Sequence, residues 1–133
     1  MKKNGFSLLE LIVVVIIIGI LAGLALPLFY RTRERALDEE AKANLKLIQA
    51  AEKVYVMENG TYLGCSSIDC INENLRLSLP TSLSRAWDYS VVLQGVDNII
   101  ITATRRINNP VLRRNWRLDK DDEEPACQGQ GCP

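Results

Sequence analysis

Apolar and polar positions divide this chain into stretches with different periods. From Leu11 to Phe29 the residues are uncharged and almost wholly apolar, bounded by Glu10 before and Arg31 after. From Leu11 to Tyr30 a helix would reach about 30 Å at 1.5 Å per residue, which just spans a bilayer. From Arg31 onward the pattern turns amphipathic. Leu37, Ala41, Leu45, Ile48, Ala51 and Tyr55 recur at three- and four-residue steps, one stripe of a helix. Arg35, Glu39, Lys42, Lys46 and Lys53 fall mainly off that stripe, on a solvated or intersubunit surface. No proline or glycine interrupts Leu28 to Glu58, and Asn59-Gly60 offers a stop with Gly60 suited to the left-handed C′ position. The pattern therefore predicts one helix over about 6–59, on the order of 80 Å long.

Beyond the helix the period shortens. Residues 61–86 hold turn formers, two cysteines and Pro80, and read as a loop with at most a short element. Trp87 to Leu93 alternates, with Trp87, Tyr89, Val91 and Leu93 on one face. After a turn at Gly95–Asn98, the β-branched run Ile99–Thr104 places Ile99, Ile101 and Ala103 inside. Asn108-Asn109-Pro110 turns the chain again. Val111–Leu118 then sets Leu112, Trp116 and Leu118 opposite Arg113, Asn115 and Arg117. The expected architecture is α+β, one long N-terminal helix packed against a small antiparallel sheet of about three strands. A head of roughly seventy residues has a modest core and needs supplements.

Composition narrows the function. The chain has 133 residues with 16 basic and 16 acidic side chains, and no histidine. Without histidine, Ser-His and Cys-His catalysis and most catalytic zinc sites drop out, so no enzyme and no cofactor is expected. A nucleic-acid partner wants a clustered basic excess. Arg105, Arg106, Arg113, Arg114 and Arg117 are such a concentration, but Asp119, Asp121, Asp122, Glu123 and Glu124 follow directly and can neutralise it, internally or between subunits. No nucleic acid is expected. The acidic run lacks the spaced ligands of an EF-hand and reads as a solvated tail, not a calcium site.

The four cysteines, Cys65, Cys70, Cys127 and Cys132, read as disulfides of an exported domain. Three connectivities are open. The matching intervals Cys65–Cys70 and Cys127–Cys132 favour two local rings. Crossed pairing would stabilise more, roughly 4 kcal/mol for a loop near sixty residues against about 2 for a six-residue ring. A metal site departs from the usual two-residue spacing and has no histidine to help, so none is expected.

The most specific stretch lies at the start: Lys2-Lys3-Asn4-Gly5-Phe6-Ser7-Leu8-Leu9-Glu10-Leu11, running into the apolar segment. A carboxylate here costs about 2.5–3.5 kcal/mol on insertion scales, which marks a specific partner. Gly5 lets a protease approach its backbone. After cleavage at Phe6 the nearest cation for Glu10 is an α-amine. An ordinary signal peptide cut after Ala25, or an uncleaved anchor, leaves Glu10 unexplained. This stretch resembles the leader and N-terminal segment of type IV prepilins and the related pseudopilins of type II secretion.

The resemblance implies a leader over 1–5, cleavage between Gly5 and Phe6 by a prepilin peptidase, and N-methylation of Phe6. A transmembrane or filament-core helix over 6–30 follows, then its amphipathic half over 31–59 and a disulfide-containing head over 60–133. Glu10 would set register by pairing with the N-terminal amine of a neighbouring subunit. Removing residues 1–5 takes away two lysines, so the mature chain stands at −2. Gly19, Gly23 and Pro27 would soften the helix, which can lose helical structure when packed into a filament; Gly19-x-x-x-Gly23 also permits close helix packing. The partners implied are copies of itself, membrane lipid, the peptidase, and an inner-membrane assembly platform with its ATPase. The location implied is the bacterial inner membrane, head outside the cytoplasm, then a periplasmic or surface filament. Two readings compete with a pilus subunit: a type II secretion pseudopilin, whose major forms carry a calcium loop with no clear match here, and a membrane-anchored DNA-uptake or adhesion module.

Overall fold

The computed structural model describes residues 5–133. Its elements are a helix α1 (Leu8–Asn59), a short helix α2 (Ile68–Leu75), and strands β1 (Trp87–Leu93), β2 (Ile99–Arg105), β3 (Arg114–Asp119) and β4 (Ala126–Gly129). A single 3-10 turn, Pro110–Leu112, precedes β3. The fold is α+β, as the patterning predicts. The chain divides into two compact units, one ending at Ala36 and the other starting at Leu37.

In the first unit α1 runs through Gly19, Gly23 and Pro27 without a break. Ser7 starts it, its carbonyl accepting the amides of Glu10 (3.1 Å) and Leu11 (3.2 Å). Side chains from Phe6 to Tyr30 are exposed all round. One window of this helix reaches a mean hydropathy of 3.1 with none of it buried, so it is long and apolar enough to cross a membrane. The four residues Met1–Asn4 of the expected leader lie outside the described residues.

The second unit holds the core. Its helical stripe begins at Asp38, seven residues later than the change of pattern at Arg31, and buries Ala41, Leu45 and Ile48 completely. These meet Trp87, Tyr89 and Val91 of β1, Ile99, Ile101 and Ala103 of β2, and Trp116 and Leu118 of β3. At Gly60 the chain leaves the helix with φ +78°, its amide bonding the Val56 carbonyl at 2.7 Å.

The sheet is antiparallel in the order β1-β2-β3-β4. Trp87 pairs with Arg105 and Leu93 with Ile99; Ile101 faces Leu118, and Trp116 faces Cys127. Four features differ from the sequence expectations. Among the described residues there are four strands, not about three, because the tail returns along β3. Its Cys-Gln-Gly composition gives no strand signal; what seats it is the absence of side chains. A Cβ on Gly129 would lie 2.9 Å from the Arg113 carbonyl, at φ +122°, and one on Gly131 would lie 2.9 Å from the Leu112 carbonyl carbon.

The third strand starts at Arg114, not Val111, since Pro110 opens a 3-10 turn there. Arg114 itself takes the inward position expected of an apolar residue, at 2% exposure. Leu93, assigned to the inner face, is 47% exposed.

The loop 61–86 contains α2. Ser67 caps it by accepting the Cys70 amide at 3.3 Å, and Arg76 ends it in the left-handed region at φ 54°. Asn72 pairs both ways with Leu79, donating at 3.0 Å and accepting at 2.8 Å, which holds that leucine in the core. Cys65 bridges to β1 through two backbone bonds with Val91, of 2.9 and 2.6 Å. This covers part of an edge that would otherwise offer unpaired groups. Cys65 is bonded to Cys70 and Cys127 to Cys132.

Candidate functional site

The candidate site is the N-terminal segment, and its parts belong to one unit. Gly5 has open space where a side chain would stand, with no described residue beyond its chain neighbours within 4 Å of it. Phe6 follows, 77% exposed. Glu10 lies in the first turn of α1, where the helix dipole favours a negative charge. It is exposed among Leu8, Leu9, Leu11 and Ile12, all also exposed. Glu10 is thus a carboxylate on an apolar cylinder, with no basic side chain between it and Arg31. Such a group is at ease at a headgroup or opposite a cation supplied by another molecule, and costly anywhere else in hydrocarbon.

Further along, Pro27 has no amide to give the Gly23 carbonyl, so the ladder lacks a bond at that point although the helix is continuous. Gly19 and Gly23 have open space where a side chain would stand. A neighbouring helix could approach closely there.

The second unit carries its polar chemistry in its packing, which patterning alone missed. Asp38, Gln49 and Glu52 of α1 are buried together with the apolar stripe. Asp38 accepts from Arg114 Nε at 2.7 Å and from Trp116 Nε1 at 3.1 Å. Gln49 donates to the carbonyls of Asp119 (2.8 Å), Lys120 (3.2 Å) and Asp122 (2.9 Å), gathering the turn between β3 and β4. Glu52 accepts the Leu63 amide at 3.0 Å through Oε2, while its buried Oε1 meets no donor. Burial pushes its carboxyl above the ordinary value, against the smaller opposing effect of the Leu63 bond. Trp87 donates to the Leu37 carbonyl at 2.9 Å. Asn44 donates to the Tyr89 hydroxyl at 2.8 Å; burial pushes that hydroxyl up to about 12, against the Asn44 bond and with help from Glu40. The available signal was position: Asp38 lies three residues before Ala41 and Glu52 four after Ile48, on the same stripe.

The arginines do not all meet the acidic run. Arg117 pairs with Asp119 at 3.0 Å, and Lys46 with Glu124 at 2.5 Å. Arg106 instead takes Asp88 at 3.4 Å and Arg114 takes Asp38. Arg105 is buried over Trp87, 5.4 Å from the ring centre. Among the described residues, no group of three or more acidic or thiol side chains is arranged to hold a metal ion.

The features together define a class: a disulfide-bonded α+β head on a helix whose uncovered apolar half begins with one carboxylate. Comparison with known proteins agrees with that class. Residues 1–26 match the prokaryotic N-terminal methylation motif. Over 61 residues the chain is 44% identical to the type IV major pilin protein PilA of Myxococcus xanthus, covering 46% of this chain and 28% of that one. Over the same length it is 39% identical to type II secretion system core protein G of Pseudomonas aeruginosa and 36% to that of Escherichia coli, covering 43% and 42% of those proteins. The chain spans less than half the length of these relatives. No solved structure matches it. The resemblance to type IV pilins and type II secretion pseudopilins, read from Gly5 to Leu11, is therefore matched by both kinds of relative.

Proposed function

We propose that this chain is a structural subunit of a type IV pilus-like filament. A prepilin peptidase hydrolyses the Gly5–Phe6 bond and methylates the freed Phe6 amine. Residues 6–30 hold the subunit in the inner membrane, with the head, 60–133, outside the cytoplasm. An assembly platform and its ATPase then move it into a filament on the periplasmic side or the cell surface. The observation that carries this reading is Glu10, one carboxylate on a helix surface that is otherwise apolar and uncovered from Phe6 to Tyr30.

In a filament of such helices, hydrocarbon is replaced by the apolar side chains of other copies, so leaving the bilayer costs little. Glu10 sets the register because only the Phe6 amine of a neighbour offers it a positive charge at that depth. Gly19 and Gly23, with the missing bond at Pro27, give the helix a place to yield under close packing. The chain acts mechanically and supplies no catalysis of its own.

The test is Glu10→Ala in the producing bacterium. Membrane insertion should be unchanged, because the substitution removes a charge from an apolar segment, and filament assembly should fall sharply. Normal filaments from this variant would contradict the register role. A type II secretion pseudopilin is the second reading, favoured by the matches to core protein G. It uses the same segment in the same way and differs in where the filament ends.

A further inference from the structure

The head is electrically polarised along its strands. At one end of the sheet β1 begins, β2 finishes and β3 begins, with Trp87 opposite Arg105. A surface concavity of about 490 Å³ opens there, lined by Arg85, Arg105, Arg106 and Arg113, with Asp88 the one carboxylate among its lining residues. Asp88 is already shared between Arg85, at 2.6 Å, and Arg106, at 3.4 Å. The Arg113 side chain is exposed and enters no ion pair among the described residues. Arg85, Arg106 and Arg113 therefore outnumber the one carboxylate, while Arg105 lies buried against Trp87 and donates to the Ala86 carbonyl.

The other end of the sheet, where β3 finishes at Asp119, has the opposite sign. Asp119, Asp121, Asp122, Glu123 and Glu124 crowd the turn into β4. Arg117 engages Asp119, Lys46 engages Glu124, and Lys120 stands 3.9 Å from Asp121. Asp121 remains 86% exposed at its side chain, and Asp122 and Glu123 are exposed too. Between the two ends lie strands of six and seven residues, roughly 20 Å of rigid sheet.

The two ends cannot meet within one copy, since the sheet holds them apart. Two like ends repel, which disfavours a symmetric pair joined through the same end. Opposite ends attract, and guanidinium with carboxylate makes two-pronged, charge-assisted hydrogen bonds. A contact between different patches of identical copies repeats without closing on itself unless its rotation happens to form a ring. We infer that the arginine concavity of one head receives the Asp121–Glu123 turn of a second copy, making a head-to-tail contact along the filament. The contact rests on the filament reading above and adds to it the surface by which heads recognise one another. An external polyanion fits the concavity less well, because the acidic end of the same head repels it and the whole chain carries no basic excess.

The test is a charge swap in the full chain, in the producing bacterium, scored as sheared filament per cell beside the wild type. Arg106→Glu with Arg113→Glu reverses one end; Asp121→Lys with Glu123→Lys reverses the other. Each pair alone should lower filament yield at least about tenfold, because like charges then face each other. All four together should restore it to within about threefold of wild type. The single changes Arg113→Glu and Glu123→Lys, at exposed side chains outside the ion pairs described above, keep the test valid should a double variant misfold, and each should lower the yield in the same direction. Wild-type yield from both single-end reversals, or no recovery in the combination, would overturn the contact while leaving the filament reading standing. Loss confined to the arginine end, with the same variants losing binding to DNA or to anionic vesicles, would overturn it in favour of an external polyanion. If the wild-type chain forms no filaments at all, the filament reading fails first and the contact fails with it.

Discussion

Glu52 and Asp38 are both buried carboxylates on one helix face, yet they act on stability in opposite ways. Asp38 has two donors, Arg114 and Trp116. Removing its charge takes a carboxylate away from a guanidinium that is 2% exposed, and loss of one partner of a buried pair costs about 3–5 kcal/mol. Asp38→Asn should lower the thermal midpoint of the detergent-solubilised full chain accordingly. An unchanged thermal midpoint for Asp38→Asn would contradict this.

Glu52 has one donor and one orphaned oxygen. Burial raises its carboxyl above the ordinary value of 4.5, so the native state holds the proton more tightly than the unfolded chain does. The stability this contributes is complete below pH 4.5 and is lost as pH rises through the raised native value. Glu52→Gln should therefore melt at or above wild type near pH 7.5, with the gap narrowing toward about pH 4.5. A gap that is constant with pH would rule out titration of Glu52 as its source. Neither role was visible from residue type, since a charge on a stripe reads as an interruption until its partner, 76 residues away for Asp38, is placed.

At the scale of elements, what could be read was what repeats. The stripe Ala41–Leu45–Ile48 and the alternation Trp87–Tyr89–Val91 each encode a face by spacing, and each is buried in the core. Strand β4 has no such spacing. It exists because Gly129 and Gly131 let the tail lie against the backbone of Arg113 and Leu112, and because Cys132 returns to Cys127. Hydrogen bonding to β3 and a covalent ring do here what β-branched side chains do in β2. Cys127→Ser with Cys132→Ser should cost about 2 kcal/mol by loss of a six-residue ring. Protection from amide exchange should fall in Ala126–Gly129 while β1 and β2 keep theirs. Equal loss across all four strands would mean that the tail is integral to the core.

Helix α2 and the Asn72–Leu79 pairing were hidden for a related reason. They depend on a cap at Ser67 and a side-chain clamp, local chemistry that leaves no period in the sequence.

On the scale of the whole molecule, two chemistries sit on one chain. From Phe6 to Tyr30 the first unit exposes apolar side chains with a single carboxylate, Glu10, a surface suited to an apolar environment. The second is a water-facing head with its own core, two disulfides and oppositely charged ends. A membrane-held subunit that enters a filament accounts for both, and it makes the processing of the N-terminus the most direct test. We would determine by mass spectrometry the N-terminal residue of the native chain in sheared surface filaments and in the remaining envelope. The account predicts a chain beginning at methylated Phe6, abundant in filaments for a pilus and retained in the envelope for a pseudopilus. A chain cut after Ala25, or one still carrying Met1–Gly5, would contradict it.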